Sequence, residues 1–318
     1  MKVIDGSIKY DPLKDMHMAD REKLYDLSVI ALGMFDGVHI GHRELLKKCA
    51  RLGRRERVAS VCVTFPTHPQ TVLSGKPALT LQSLNQRLSC IARTGVTDAY
   101  LYPFDEKTAH MGALPYLRRL AHIFRPLHIV VGYNYTFGRG GEGTPDMLTE
   151  YAPRFGYRVH VIDDRTVDGM SVSATGIKRL LSAGDAEMAS KMLGRPFEIC
   201  GKIVAGKGEG RTMGFPTANV RLRADQFLPR FGVYAARAVV DGISHPAVLN
   251  LGLHPTLPEG GLTLEVNLLG ERLELYGREA KIQFDSFLRP ERKFADKAEL
   301  EAQIAEDAAK ASVILQNA

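Results

Sequence analysis

The chain has 318 residues, 45% of them hydrophobic and 25% charged, a composition that suits a soluble globular protein of two domains and excludes wholesale disorder. Lysine and arginine total 42 against 36 aspartates and glutamates, a formal charge of +6 with no run of five like charges. This modest excess favours anionic small ligands over a nucleic acid, for which there is no basic stripe, and no apolar stretch reaches the roughly 18 residues that span a bilayer.

The opening segment MKVIDGSIKYDPLKDM is charged throughout and lacks the apolar core of a signal peptide, so the expectation is a cytoplasmic protein with no membrane partner. The cysteines Cys49, Cys62, Cys90 and Cys200 form no C-x-x-C pair, which argues against a zinc site or a disulfide framework. In chain order, the apolar run Val29–Leu32 ends in the turn GMFDG and is followed by an amphipathic stretch, His42–Leu52. Val58–Phe65 is the next apolar run and stops at PTHP. Asp98–Tyr102, His128–Gly132 and Tyr157–Ile162 are further predicted strands, and Ala113–Phe124 reads as a helix. Strands alternating with helices predict a doubly wound parallel sheet. His110, His122, His128 and His160 are dispersed along this half and are assigned no chemistry.

The pattern changes after a helical region, Thr175–Leu193, that breaks at Gly184. Short strand-like segments follow, separated by glycine and proline: Glu198–Ala205, Val233–Val240, Ala247–Leu251, Leu262–Leu269 and Ala280–Phe284, before a final helix Lys297–Ile314. This spacing predicts a small antiparallel β-barrel with a terminal helix. The domains are read as 1–185 and 186–318.

Two segments carry chemistry. Gly33–His42, GMFDGVHIGH, joins a buried strand to a helix start, where ligands gather in open α/β sheets. Gly33 and Gly37 permit tight turns, and Gly41 keeps Cβ bulk from between the histidines. His39 and His42, three apart, share one face of a first helical turn, whose N–H groups favour an anion. A bare H-x-x-H pair reads as a chance pair on a solvated helix, and it is the strand, glycine turn and helix around it that point to a site; as a metal site it lacks an obvious third ligand. The second segment, Gly206–Asn219, has glycines at 206, 208 and 210 and the oxygen-bearing residues Thr217 and Asn219. On an extended strand these two face one side, as ligands of Mg²⁺ bridging phosphates would, although composition alone reads PTAN as a turn. Tyr133, Tyr135 and Phe137 alternate after a strand and either stack on a planar ligand or pack the sheet edge.

The motif G-x-F-D-G-x-H-x-G-H resembles the signature of the adenylyltransferase half of bacterial bifunctional riboflavin kinase/FAD synthetases, part of the HxGH nucleotidyltransferase superfamily. Thr64–Pro69 (TFPTHP), Ile129–Gly138 (IVVGYNYTFG) and Ser173–Lys178 (SATGIK) are similar to the family's His-Pro, flavin-side and S-S-T-x-I-R segments. In the second half GFPTAN, GVY at 232–234, NLGLHPT at 250–256, LEV at 264–266, LYG at 275–277 and FLRPERKF at 287–294 resemble the riboflavin kinase domain.

The resemblance implies ATP-dependent phosphorylation of riboflavin to FMN, then adenylylation of FMN to FAD with release of pyrophosphate, both with Mg²⁺. In the first half it implies that His39 and His42 stabilise charge on the phosphates. Gly33, Phe35, Asp36, Gly37, Gly41, Ser173, Thr175 and Lys178 would line the ATP phosphates, and His68, Asn134, Tyr135 and Phe137 the flavin. In the second half it implies Glu265 as the general base, Thr217 and Asn219 at the metal, and Gly206, Gly208, Gly210 and Pro216 around ATP. Read without the family, Glu265 is a solvated glutamate on an outward strand face. Ala174 stands where the family has a second serine, Lys178 where it has arginine, Asn267 where many members have histidine and Gly270 where they often have aspartate. A kinase with a weakened adenylylating half and a flavin-binding regulator are therefore the alternatives.

Overall fold

The computed structural model describes residues 1–6, 24–204, 217–253, 261–270 and 275–316. Chain contacts divide it into two compact units, Met1–Ser173 and Ala174–Ala318.

The first unit runs β1 (Lys2–Asp5), β2 (Ser28–Leu32), α1 (Ile40–Glu56), β3 (Ala59–Thr64), α2 (Pro69–Ser74), α3 (Leu84–Ala92), β4 (Asp98–Leu101), α4 (Glu106–Ala109), α5 (Ala113–Phe124), β5 (Pro126–Gly132), α6 (Pro145–Phe155) and β6 (Arg158–Ile162), then the short strands β7 (Thr166–Val167) and β8 (Met170–Ser171). Six strands form one parallel sheet in the order β1-β4-β3-β2-β5-β6. The chain winds from β2 through β3 to β4, then returns to the other side of β2 with β5. The order therefore reverses beside β2, and a crevice opens there at the carboxyl ends of the strands. Alternating side chains of β2 and β3 serve both faces: Ile30, Leu32, Val61 and Val63 pack with Leu117, Leu120 and Phe124 of α5, while Val29, Ala31 and Cys62 pack with Leu45, Leu46 and Cys49 of α1. Both faces being buried explains why these strands read as unbroken apolar runs. Cys49 and Cys62 are core residues whose thiols burial pushes up, so they stay protonated.

The second unit begins with α7 (Ala174–Ala183) and α8 (Ala186–Leu193), followed by β9 (Phe197–Val204), β10 (Thr217–Val220), β11 (Gly232–Val240), β12 (Ile243–Leu253), β13 (Leu262–Leu268), β14 (Glu279–Arg289) and α9 (Lys297–Gln316). Its strands close an antiparallel barrel in the order β10-β13-β12-β11-β14-β9. The sequence predicts five of these strands. The sixth, β10, holds the segment that composition reads as a turn, and it closes the barrel by pairing with both β9 and β13. The helices α7 and α8, which the sequence reading divides at residue 185, group with this unit: Arg230 N–H donates to Leu181 O at 2.8 Å and Ser286 Oγ to Glu187 Oε1 at 2.9 Å.

The terminal helix α9 is fixed by a buried ion pair. Asp307, 3% exposed, accepts Arg289 Nε at 3.0 Å and Nη2 at 2.8 Å through Oδ2, and Gln303 Nε2 at 3.0 Å through Oδ1. Two-point binding to a desolvated carboxylate is the strong form of this interaction, and removing one partner strands the other. Asp307→Ala is expected to destabilise the barrel unit by about 3 kcal/mol, read as a lowered urea midpoint in circular dichroism.

Candidate active sites

In the first unit the crevice gathers three segments that leave adjacent strand ends: Gly33–His39 after β2, Phe65–His68 after β3, and Tyr133–Gly138 after β5. The first is a strained turn. Phe35 and Val38 have φ of 56° and 39°, in the region that side-chain-bearing residues avoid, and Gly37 has 77°. What holds it is packing and polar ties. Phe35 is buried, Thr64 Oγ1 donates to Met34 O at 3.0 Å, and Leu81 N–H donates to the buried Asp36 Oδ1 at 2.9 Å.

This turn delivers His39 to the N-cap of α1, where its Nδ1 accepts the His42 backbone N–H at 3.3 Å. That bond places the proton of neutral His39 on Nε2, so the ring offers a donor. The two imidazoles stack with centroids 3.6 Å apart and planes 20° apart, and the Phe35 ring meets His42 edge-on at 5.2 Å. His42 Nδ1 is buried without a hydrogen-bond partner. Burial first, and then neighbouring His39, hold the His42 imidazole well below its ordinary range, so it is neutral at pH 7. Gly41 lies between them, and a Cβ there would sit 3.4 Å from the His39 ring.

The other sequence-predicted residues of this half fall as follows. His68 is half-buried and caps α2, its Nδ1 accepting Gln70 N–H at 3.1 Å. Asn134 is exposed, Tyr135 half-buried, and Phe137 buried at 6%. Phe137 exchanges backbone hydrogen bonds with Gly143 and packs on Tyr116 at 5.7 Å, while Tyr135 stacks over it at 5.8 Å. Burial raises the Tyr135 phenol, which stays protonated. Ser173 ends the first unit; Thr175 and Lys178 lie on α7 of the second, where Lys178 Nζ stands 5.9 Å from the centroid of the Phe227 ring.

One residue beneath the crevice escaped the sequence reading. Arg87, 2% exposed, donates from Nη2 to Phe65 O and from Nη1 to Met34 Sδ at 3.5 Å, tying the ends of β2 and β3 together. Its signal was there: Leu84, Leu88 and Ile91 make an apolar stripe at helical spacing, and Arg87 falls on it. His128 and His160, distant in sequence, meet across β5 and β6: His160 Nε2 lies 3.0 Å from His128 Nδ1, and His128 Nε2 3.3 Å from Glu56 Oε1.

In the second unit the register sets the site. Asn219 of β10 pairs with Glu265 of β13, which pairs with Asn250 of β12. Thr217 pairs with Asn267 one step along the same face. Leu264 and Val266 alternate with Glu265 and are buried, so the barrel fills with apolar side chains and presents this polar row outward. Asn250 Nδ2 donates to Glu291 Oε1 at 3.3 Å. Gly206, Gly208, Gly210 and Pro216 lie outside the described residues, as does the Thr217 side chain.

Comparison with known proteins places both halves. A family model described as FAD synthetase matches residues 22–176, and one described as riboflavin kinase matches residues 193–315. The chain belongs to the bifunctional riboflavin kinase/FMN adenylyltransferase family. The enzyme of that name from Listeria monocytogenes is 34% identical over 283 residues, 88% of this chain and 90% of that protein. That of Bacillus subtilis is 33% identical over 290 residues, again 88% and 90%. A solved structure named a macrolide-efflux protein from Streptococcus pneumoniae has a TM-score of 0.81 at 26% identity over 96% of this chain and 97% of that one. Among the described residues no helix of this family member is long and apolar enough to cross a membrane.

The buried imidazoles make a pH prediction. The pKa values of His42 and of His160, the latter through burial and then His128, lie below that of an unfolded histidine, near 6.5. The unfolded chain therefore binds more protons below that pH, and stability is full above about 6.5 and falls as pH drops through it. The Tm is expected to fall between pH 7.5 and 5.5, and His42→Gln should shallow that fall.

Proposed function

We propose that the chain phosphorylates riboflavin at the outward polar row of the barrel and adenylylates the FMN product at the crevice of the parallel sheet, using ATP in both. The observation that carries this reading is the presence of the capped histidine pair and of the Asn219–Glu265 register in a chain matched along both halves.

In the crevice, FMN phosphate attacks the α-phosphorus of ATP and pyrophosphate leaves, which puts charge on phosphate oxygens rather than on protein atoms. His39 donates its Nε2–H to those oxygens. His42, neutral while the crevice is empty, takes a proton as the phosphates arrive and neutralises the charge that builds in the transition state. The turn Gly33–Gly37 and Gly41 let the phosphate chain approach the backbone, and Ser173 holds phosphate. His68, Asn134 and Tyr135 contact the flavin, with Phe137 supporting Tyr135 from the core.

At the barrel, Glu265 takes the proton from the ribityl 5′-hydroxyl as that oxygen attacks the γ-phosphorus of ATP, and ADP leaves. Thr217 and Asn219 supply a hydroxyl and an amide oxygen. No group of three or more His, Cys, Asp or Glu among the described residues is arranged to hold a metal. A donor set of neutral oxygens fits Mg²⁺, which keeps water and substrate phosphates as its other ligands, and fits zinc poorly. Bound there, Mg²⁺ would supply positive charge against the ATP phosphates.

The test is to incubate the chain with riboflavin, ATP and Mg²⁺ and separate the flavins over time. FMN followed by FAD is expected. His39→Ala should stop FAD formation by 100-fold or more, leaving FMN to accumulate, and Glu265→Ala should stop FMN formation while supplied FMN is still converted (each on the order of 10²–10⁴ in rate). Accumulation of FMN alone from the unaltered chain, even when FMN is supplied, would overturn the adenylylation half, and no product at all would overturn both.

A further inference from the structure

The segment between β6 and α7 carries an arginine that belongs to none of the motifs above. Arg165 stands at the base of the hairpin formed by β7 and β8. Its carbonyl accepts Val172 N–H at 2.7 Å, and the hairpin turns through Asp168 and Gly169 with φ of 49° and 78°, the backbone of a tight two-residue turn. The backbone at Arg165 is thereby fixed, and it is fixed against the histidine pair. A Cβ built on Gly41 would lie 4.0 Å from Arg165 Cβ and 3.4 Å from the His39 ring. The guanidinium Nε pairs with Glu44 Oε2, on α1 two residues beyond His42.

The pair is solvent-facing, with side chains 54% and 35% exposed. Such pairs contribute little to a fold, under about 1 kcal/mol, because water competes for both charges. A phosphate offers Arg165 more than Glu44 does, since it accepts two parallel N–H bonds and carries more charge. The histidine pair creates the need for such a partner. His39 keeps its Nδ1 on the His42 N–H, and His42 is neutral until an anion arrives. An incoming polyanion thus meets a neutral His42, whereas arginine is charged at every working pH.

We propose that Arg165 is a phosphate-binding residue of the adenylylation site, held on Glu44 while the crevice is empty and transferred to the triphosphate of ATP when it binds. This rests on the adenylylation reading of the crevice. Glu44 then has a role of its own: it keeps Arg165 extended beside the helix start and competes with phosphate for it. The two partners are therefore expected to act with different signs, which an ion pair serving only structure would not show.

The experiment is steady-state FAD formation from supplied FMN with ATP varied, alongside riboflavin phosphorylation by the same preparations. Arg165→Ala is expected to raise the KM for ATP in FAD formation about tenfold, the loss of one charge-assisted contact, with riboflavin phosphorylation and the Tm unchanged. Arg165→Lys, which keeps charge without the fork, should fall between. Glu44→Gln, which removes the competitor and keeps the shape, should leave that KM unchanged or lower it. An unchanged KM in Arg165→Ala overturns the proposal. So does a KM raised equally in Glu44→Gln and Arg165→Ala, which would make the pair a structural tie. Either result with normal FAD formation by the unaltered chain leaves the adenylylation reading standing, whereas no FAD from the unaltered chain overturns that reading and the proposal with it.

Discussion

Two imidazoles stacked 3.6 Å apart at the buried start of a helix repel one another once charged. Much of the first unit serves to hold them there. The turn that delivers them pays for its shape with positive φ at Phe35 and Val38. It keeps that shape because Phe35 is sealed in the core, Asp36 is tied to the Leu81 amide, and Arg87 fastens the ends of the two flanking strands. The sheet order puts this turn where the winding reverses, so the chain leaves a crevice beside it rather than another helix. With the crevice empty, burial keeps His42 neutral, so it carries no fixed charge of its own.

The second unit solves a different problem with a simpler device. A closed barrel has one face for its core and one for chemistry, and strict alternation along β13 assigns Leu264 and Val266 to the first and Glu265 to the second. Register then brings Asn219 and Asn250 to either side of Glu265 from strands far apart in sequence. A slip by one residue would turn this row into the core, so the position of Glu265 and the stability of the barrel are the same fact. The family pattern pairs the two units in one chain, and FMN, the product of one, is the substrate of the other.

The architecture of both halves was legible because long periodic runs report burial directly. The run Val29–Leu32, the helix Ala113–Phe124 and the barrel strands were all visible, within a few residues at their ends. The elements that were not visible include β1, a short exposed edge, the short helices α2, α3 and α4, the helix α6, the small hairpin β7–β8, and β10, which is a strand only because β9 and β13 flank it. The same division holds for the sites. His39, His42, Asn219 and Glu265 stood out by spacing and by likeness to the family. His128 and His160 meet only through strand register, Arg87 only through the packing of α3, and Arg165 only because a hairpin folds back on Gly41. Phe137, a polar-flanked aromatic in sequence, is a core residue because Gly143 lets the chain close over its ring.

The central claim is that His42 is neutral until phosphate arrives. Nitrogen-15 NMR of the histidine rings, recorded against pH with and without saturating inorganic pyrophosphate, tests it most directly. The account predicts that His42 titrates well below the ordinary histidine range in the free protein, that His39 is protonated at Nε2, and that pyrophosphate shifts the His42 titration upward. A His42 that is already charged at pH 7 in the free protein, or a titration that pyrophosphate leaves unmoved, would contradict it.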